Sequence, residues 1–191
     1  MNTKSVKFIF YLKICLIGFI SFGQKNIHHR WNKQLKTYVS ESGKVDYNAW
    51  KKDQKNLNAY IETLSDFPPR EGASKNYKLA YWINAYNSLT IKLILENYPV
   101  KSIKEIKSPW NNRCFKIEDK DYSLGDIEHK ILRKMNEPRI HFAINCASVS
   151  CPKLLNSAFQ EKQLETQLIQ ATRSFLMDSS KYILNKNKLK M

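Results

Sequence analysis

From Lys75 to Asn97 the chain reads "KNYKLAYWINAYNSLTIKLILEN", with apolar residues on nearly every side of a helix. At about 100° per residue, Leu79, Trp82, Ile83, Tyr86, Leu89, Leu93 and Ile94 form one broad face. Ala80, Ile91 and Leu95 carry it round a second side. A helix apolar almost all round is a central, buried one. Asn84 and Asn87 fall among these apolar positions, so each must find partners, because an unsatisfied buried amide costs about 1–3 kcal/mol. Two readings are open: the asparagines tie neighbouring loops to the core, or one of them lines a site.

Upstream, "RWNKQLKTYV" reads as a helix, Ser42-Gly43-Lys44 as a turn, and "VDYNAWKKDQKNLNAYIETLSDF" as a second helix that ends before Pro68-Pro69. Trp50, Leu57, Tyr60, Ile61 and Leu64 carry its helical spacing. Downstream, "NYPVKSIKEI" closes the central helix at Pro99 and begins a short amphipathic turn, and "RCFKIEDKDYSL" reads as a hairpin with a polar tip at Glu118-Asp119-Lys120. "SLGDIEHKILRKM" opens with the capping box Ser123-x-x-Asp126. On an α-helical wheel Glu128 lies roughly 40° from Leu124, inside the apolar face, with His129 on its flank. A carboxylate turned inward is costly unless paired, so Glu128 should meet an arginine, a histidine, a backbone donor or a ligand.

Beyond Pro138 the run "RIHFAIN" (139–145) reads as a buried strand from which Cys146 emerges, and Pro152 forces Cys151 to be extended. A final amphipathic helix spans about 160–177, and "KYILNKNKLKM" could supply an edge strand. The fold class expected is α+β: a mostly helical single domain with a few short strands, a buried central helix (about 75–97) and a buried strand (about 139–145).

The first residues change the boundaries. "MNTKSVKFIFYLKICLIGFISFG" has Lys4 and Lys7, an apolar stretch interrupted by Lys13, and small residues at Ser21 and Gly23. This is the plan of a secretory signal peptide. The stretch Phe8–Phe22 is 15 residues long, short of the ~20 that a membrane span needs, although an uncleaved anchor is the alternative. The expected organisation is therefore a signal peptide over 1–23 and one domain over 24–191, exported to the periplasm, the cell envelope or the medium. Net charge is +15, from 32 basic and 17 acidic residues, and falls to +12 without the three leader lysines. No zinc-finger spacing and no aromatic-basic RNA motif accompanies this charge. Nucleic acid is not the expected partner. An unidentified small molecule, peptide or envelope polymer is, with peripheral contact to an anionic membrane surface.

Three cysteines remain after cleavage, Cys114, Cys146 and Cys151, and an odd number leaves at least one unpaired within the chain. Three chemistries compete for "INCASVSCP". In a thiol site Cys146 would be the nucleophile, with His129 the better-placed base and His141 the other candidate, since strand alternation sets His141 opposite Cys146. Glu128 or Asn145 would orient that base. In a disulfide, Cys146 and Cys151 would close a tight loop and leave Cys114 over. As a metal site, C-x4-C is not a close zinc-knuckle match and no H-x3-H accompanies it, so neither metal nor cofactor is expected. His28 and His29 read as surface residues.

The stretches "LAYWINAYNSLTIKLILENYPVKSIKEI" (79–106), "YSLGDIEHKILRKMNEPRIHFAINCASVSCPKL" (122–154) and, more weakly, "VDYNAWKKDQKNLNAYI" (45–61) resemble the domain of unknown function 547 family. The resemblance implies an exported bacterial protein of unassigned activity, and it picks out Asn84, Asn87, Glu128, His129, His141, Cys146 and Cys151. Cys114 lies outside the family pattern, and members usually continue past the last helix, so the chain is expected to lack that C-terminal segment. Two functions remain in play. One is a thiol-dependent hydrolase or transferase in which Cys146 attacks, His129 moves the proton, Glu128 orients it, and Asn84 or Asn87 polarises the oxyanion. The other is a non-catalytic binding module with a Cys146–Cys151 disulfide.

Overall fold

The computed structural model describes residues 27–148 and 150–178, so the leader and the segment read as a terminal edge strand lie outside the described residues. Helix α4 (Lys75–Glu96) is the axis of the fold. Ser74 caps its start by accepting the Tyr77 N–H at 3.0 Å. Every residue from Leu79 to Ile91 is buried, as an all-round apolar pattern requires.

Helices α1 (His29–Tyr38), α2 (Tyr47–Lys52) and α3 (Gln54–Asp66) pack on one side. The second helix read from sequence is thus divided at Asp53, which accepts from the Tyr38 hydroxyl at 2.9 Å and the Asn56 amide at 2.6 Å. Trp31 stacks on Trp50 and on Tyr60, with ring centroids 5.6 and 5.5 Å apart. His28, expected at the surface, is 5% exposed. Its Nδ1 lies 2.7 Å from the Tyr60 hydroxyl, and burial pulls its pKa down to about 4.

Strands β1 (Arg113–Ile117) and β2 (Lys120–Ser123) form the expected hairpin, antiparallel, with an irregularity between Arg113 and Phe115 where Cys114 sits. Its end feeds the capping box: Ser123 N–H and Oγ donate to Asp126 at 3.0 Å, and Asp126 N–H returns a bond to Ser123 Oγ at 3.1 Å. The segment after the box is not a regular α-helix. Asp126–Ile131 winds as a π-helix and Leu132–Met135 as a 3-10 turn.

The buried strand expected at 139–145 does not exist. Pro138–Phe142 is a 3-10 helix started by Pro138 and capped by the Glu137 carboxylate on Arg139 N–H. Ile140 within it and Ala143 and Ile144 just after it are buried, while His141 is exposed; that spacing belongs to a helical turn and not to a strand. Helix α5 (Leu164–Leu176) closes this side, with Phe175 5.3 Å from Phe142 between ring centroids. Among the described residues no helix is long and apolar enough to cross a membrane.

Candidate functional site

Two side chains on α4, one turn apart, hold the two loops that matter. Asn84, fully buried, donates to Phe159 O at 2.8 Å and accepts Phe159 N–H at 3.0 Å. Asn87 donates to Ala143 O at 3.0 Å and accepts Asn145 N–H at 2.8 Å. Each amide copies the donor–acceptor pair of a neighbouring backbone strand. Of the two readings, the tying of loops to the core is the one these bonds describe.

Asn145 continues the chain of bonds outward. Its side chain accepts Ala147 N–H at 2.9 Å and donates to Pro152 O at 2.6 Å, so one amide clasps both ends of the Cys146–Cys151 segment. Within that segment Cys151 N–H donates to Ser148 O at 3.0 Å. Ala147 takes a left-handed backbone, φ 53°, rare for a residue with a side chain. The two sulfurs are joined in a disulfide, with Cα atoms 6.0 Å apart, and both cysteines are half-buried. Among the described residues Cys114 is left free, and burial pushes its thiol pKa up.

Behind Cys151 the chain is gripped a second time. Gly43 has φ +82°, and a Cβ there would stand 2.5 Å from Lys153 Cβ, so the turn at Ser42-Gly43-Lys44 exists to let backbone reach backbone.

Glu128 sits on the π-helical segment, its side chain 17% exposed. The inward placement read from the helical wheel is therefore met in part, and the demand for a partner is met in full. Arg133 Nη2 donates to Glu128 Oε1 at 2.9 Å, a five-residue spacing that the wide π turn brings into stack. The Tyr86 side chain, from α4, is buried near Glu128; burial first, then the charge of Glu128, pushes its pKa far up. Lys130, at 2.6 Å, and Ser123 hold the neighbouring Asp126 carboxyl well below its usual range. Trp110 O accepts Gly125 N–H at 2.8 Å, and a Cβ on Gly125 would meet that oxygen at 3.0 Å.

His129 is brought to Glu128, Nδ1 to Oε1 3.9 Å, but its side chain is 58% exposed. His141 stands apart, on an open depression of about 460 Å³ with Arg133, Asn136, Glu137, Pro138 and Ile140. The seven residues picked out from the sequence thus divide into a core staple at Asn84, a loop staple joining Asn87 to the cysteine pair, a carboxylate–imidazole pair at 128–129, and an isolated His141. Trp110 and Ala147 pack on one small apolar cluster of Ile94, Ile103 and Ile106. Tyr86, Trp110 and Arg133 are not legible as site residues in the sequence. A signal for Tyr86 is present all the same: a tyrosine on a buried helix face must place its hydroxyl against a partner. Among the described residues no three His, Cys, Asp or Glu side chains converge as metal ligands would.

No curated protein and no solved structure matches the chain. A family model described as "Protein of unknown function, DUF547" matches residues 70–176. That is more than half of the chain and includes both staples, the carboxylate–imidazole pair and the disulfide: the chain belongs to the DUF547 family.

Proposed function

We propose that this is an exported binding module of the cell envelope whose cysteine pair shapes a loop and performs no acyl transfer. One observation carries the reading: the Cys146 sulfur is bonded to Cys151, and a disulfide sulfur has no thiolate with which to attack a carbonyl. Two others support it. The Asn84 and Asn87 amides are committed to backbone groups of the core and the loop, and the exposed His129 ring rests against Glu128. A disulfide on a half-exposed loop suits an oxidising compartment, which is also the destination of a chain with a leader-like start. The charge of +12 left without the three leader lysines suits an anionic partner.

Alkylation of denatured, unreduced protein tests this. One reactive thiol, assigned to Cys114 by mass spectrometry, is the expected result. Three reactive thiols, with Cys146 alkylated unusually fast in the native chain, would favour the thiol hydrolase instead, with His129 and Glu128 as its proton-handling pair.

A further inference from the structure

We propose that the Cys146–Cys151 bridge is a reversible thiol–disulfide exchange site for a dithiol partner protein. This rests on the bridge that carries the proposed function. The frame around the sulfurs does not depend on the bond between them. Asn87 fixes Ala143 and Asn145, Asn145 clasps Ala147 and Pro152, and Cys151 N–H bonds Ser148 O. Gly43 lies close against Lys153 from the other side.

A bridge whose main purpose is stability does most when it closes a long loop, whereas this one has a sequence separation of only 5. The left-handed Ala147 directly after Cys146 is a backbone state that persists only where its surroundings impose it, and such residues gather at working sites. Both cysteines are half-buried, so the bridge is not sealed in the core. Five main-chain and amide bonds that do not involve sulfur keep the two thiols together after reduction.

In the step proposed, a thiolate of the partner attacks one sulfur of the bridge, forming a mixed disulfide and expelling the other sulfur as a thiolate. The partner's second thiolate then attacks its own sulfur in that mixed disulfide. The products are the Cys146, Cys151 dithiol and an oxidised partner: two electrons and two protons pass to this chain. In the reverse direction the bridge is restored and the partner reduced. Cys114, with its raised pKa, does not compete.

The mature chain, from residue 24 on, is held folded in glutathione buffers of graded reduced-to-oxidised ratio, quenched with iodoacetamide and analysed by mass. Expected is paired alkylation of Cys146 and Cys151 with unchanged far-ultraviolet circular dichroism, and rapid reclosure on return to oxidised glutathione. Asn145→Ala removes the clasp and is expected to slow reclosure roughly tenfold through the lost effective concentration of one thiol at the other, with the helical signal intact. Cys151→Ser is expected to hold a stable glutathione adduct on Cys146. A bridge that opens only in denaturant, or an Asn145→Ala chain that recloses at the original rate, overturns the inference and leaves the binding module standing. Three alkylated thiols in untreated protein remove the bridge itself and the module reading with it.

Discussion

Helix α4 carries the same device twice, with different outcomes. Asn84 and Asn87 are one turn apart, and each lends a side-chain amide to a passing backbone. Around Asn84 everything is closed: Ala158 is fully buried and Phe159 is 2% exposed. Asn32 Oδ1 accepts Ala158 N–H at 3.0 Å, and Gln167 takes Ala158 O and Gln160 N–H, each at 2.8 Å. Around Asn87 the bonded backbone leads within a few residues to the half-exposed cysteines. The same chemistry therefore serves as core in one place and as a platform for an accessible loop in the other. An inward asparagine is in itself a statement about backbone, and only its surroundings decide whether the backbone it holds can do anything further.

The largest expected effect breaks the comparison at its core end. Asn84→Ala leaves the N–H and C=O of Phe159 unpaired in a closed interior and removes side-chain volume. The expected cost is about 4 kcal/mol, read as a fall in the denaturation midpoint with unchanged slope. Asn87→Ala should cost about half as much, because the freed groups of Ala143 and Asn145 can reach water by a small loop opening. Equal costs at the two positions would mean that the loop is as much core as the Phe159 segment is.

Acid separates the two regions next. His28 has a folded pKa lowered to about 4 from 6.5. Between those values the unfolded chain takes up a proton that the folded chain refuses, so stability is complete above pH 6.5 and falls as pH drops toward 4. The whole interval is worth about 3 kcal/mol. Urea denaturation at pH 7 and pH 4.5 should show most of this loss, and His28→Gln should flatten it. The lowered carboxyls of Asp126, Glu137 and Glu165 lose their contributions as pH falls through their own lower folded values. The loop, which has no buried histidine, should keep its bridge through the acid range.

Gly43→Ala probes the second grip on the loop. The left-handed φ and the 2.5 Å approach to Lys153 Cβ leave no room for a methyl group, and roughly 2 kcal/mol is expected. If denaturation shows a loss near zero, the turn at Ser42-Gly43-Lys44 does not brace the segment behind Cys151.

Legibility in the sequence divides along the same line. The buried α4, its two asparagines in need of partners, the capping box and the hairpin are short-range patterns, and each stands where its pattern puts it. "RIHFAIN" misleads because a short apolar run fits either period. Only the 140, 143, 144 spacing behind a proline start marks it as helical, and that spacing competes with the residues between. Glu128 comes out facing inward on an α-helical wheel although the segment winds as a π-helix, and its partner Arg133, five residues on, is not the neighbour that an α-helical wheel gives it. The Cys146–Cys151 pairing is one of the alternatives that the close spacing of the two cysteines offers, whereas what holds the loop depends on Asn87 and Gly43 lying near it in space, which no local pattern records.

The smallest expected effect is the most discriminating for the loop. Replacing both Cys146 and Cys151 by Ser removes a bridge that closes few residues, so the unfolded chain gains little freedom. The Asn145 clasp and the Gly43 contact keep the folded loop in place. A loss of about 1–2 kcal/mol is expected, with the helical content unchanged and proteolysis between Ala143 and Leu154 no faster than in the bridged chain. A loss near that of Asn84→Ala, or rapid cleavage in this segment, would make the sulfur–sulfur bond the true fastener of the loop and reduce the Asn87–Asn145 chain of bonds to a by-product of it. The double substitution therefore weighs the two fasteners directly.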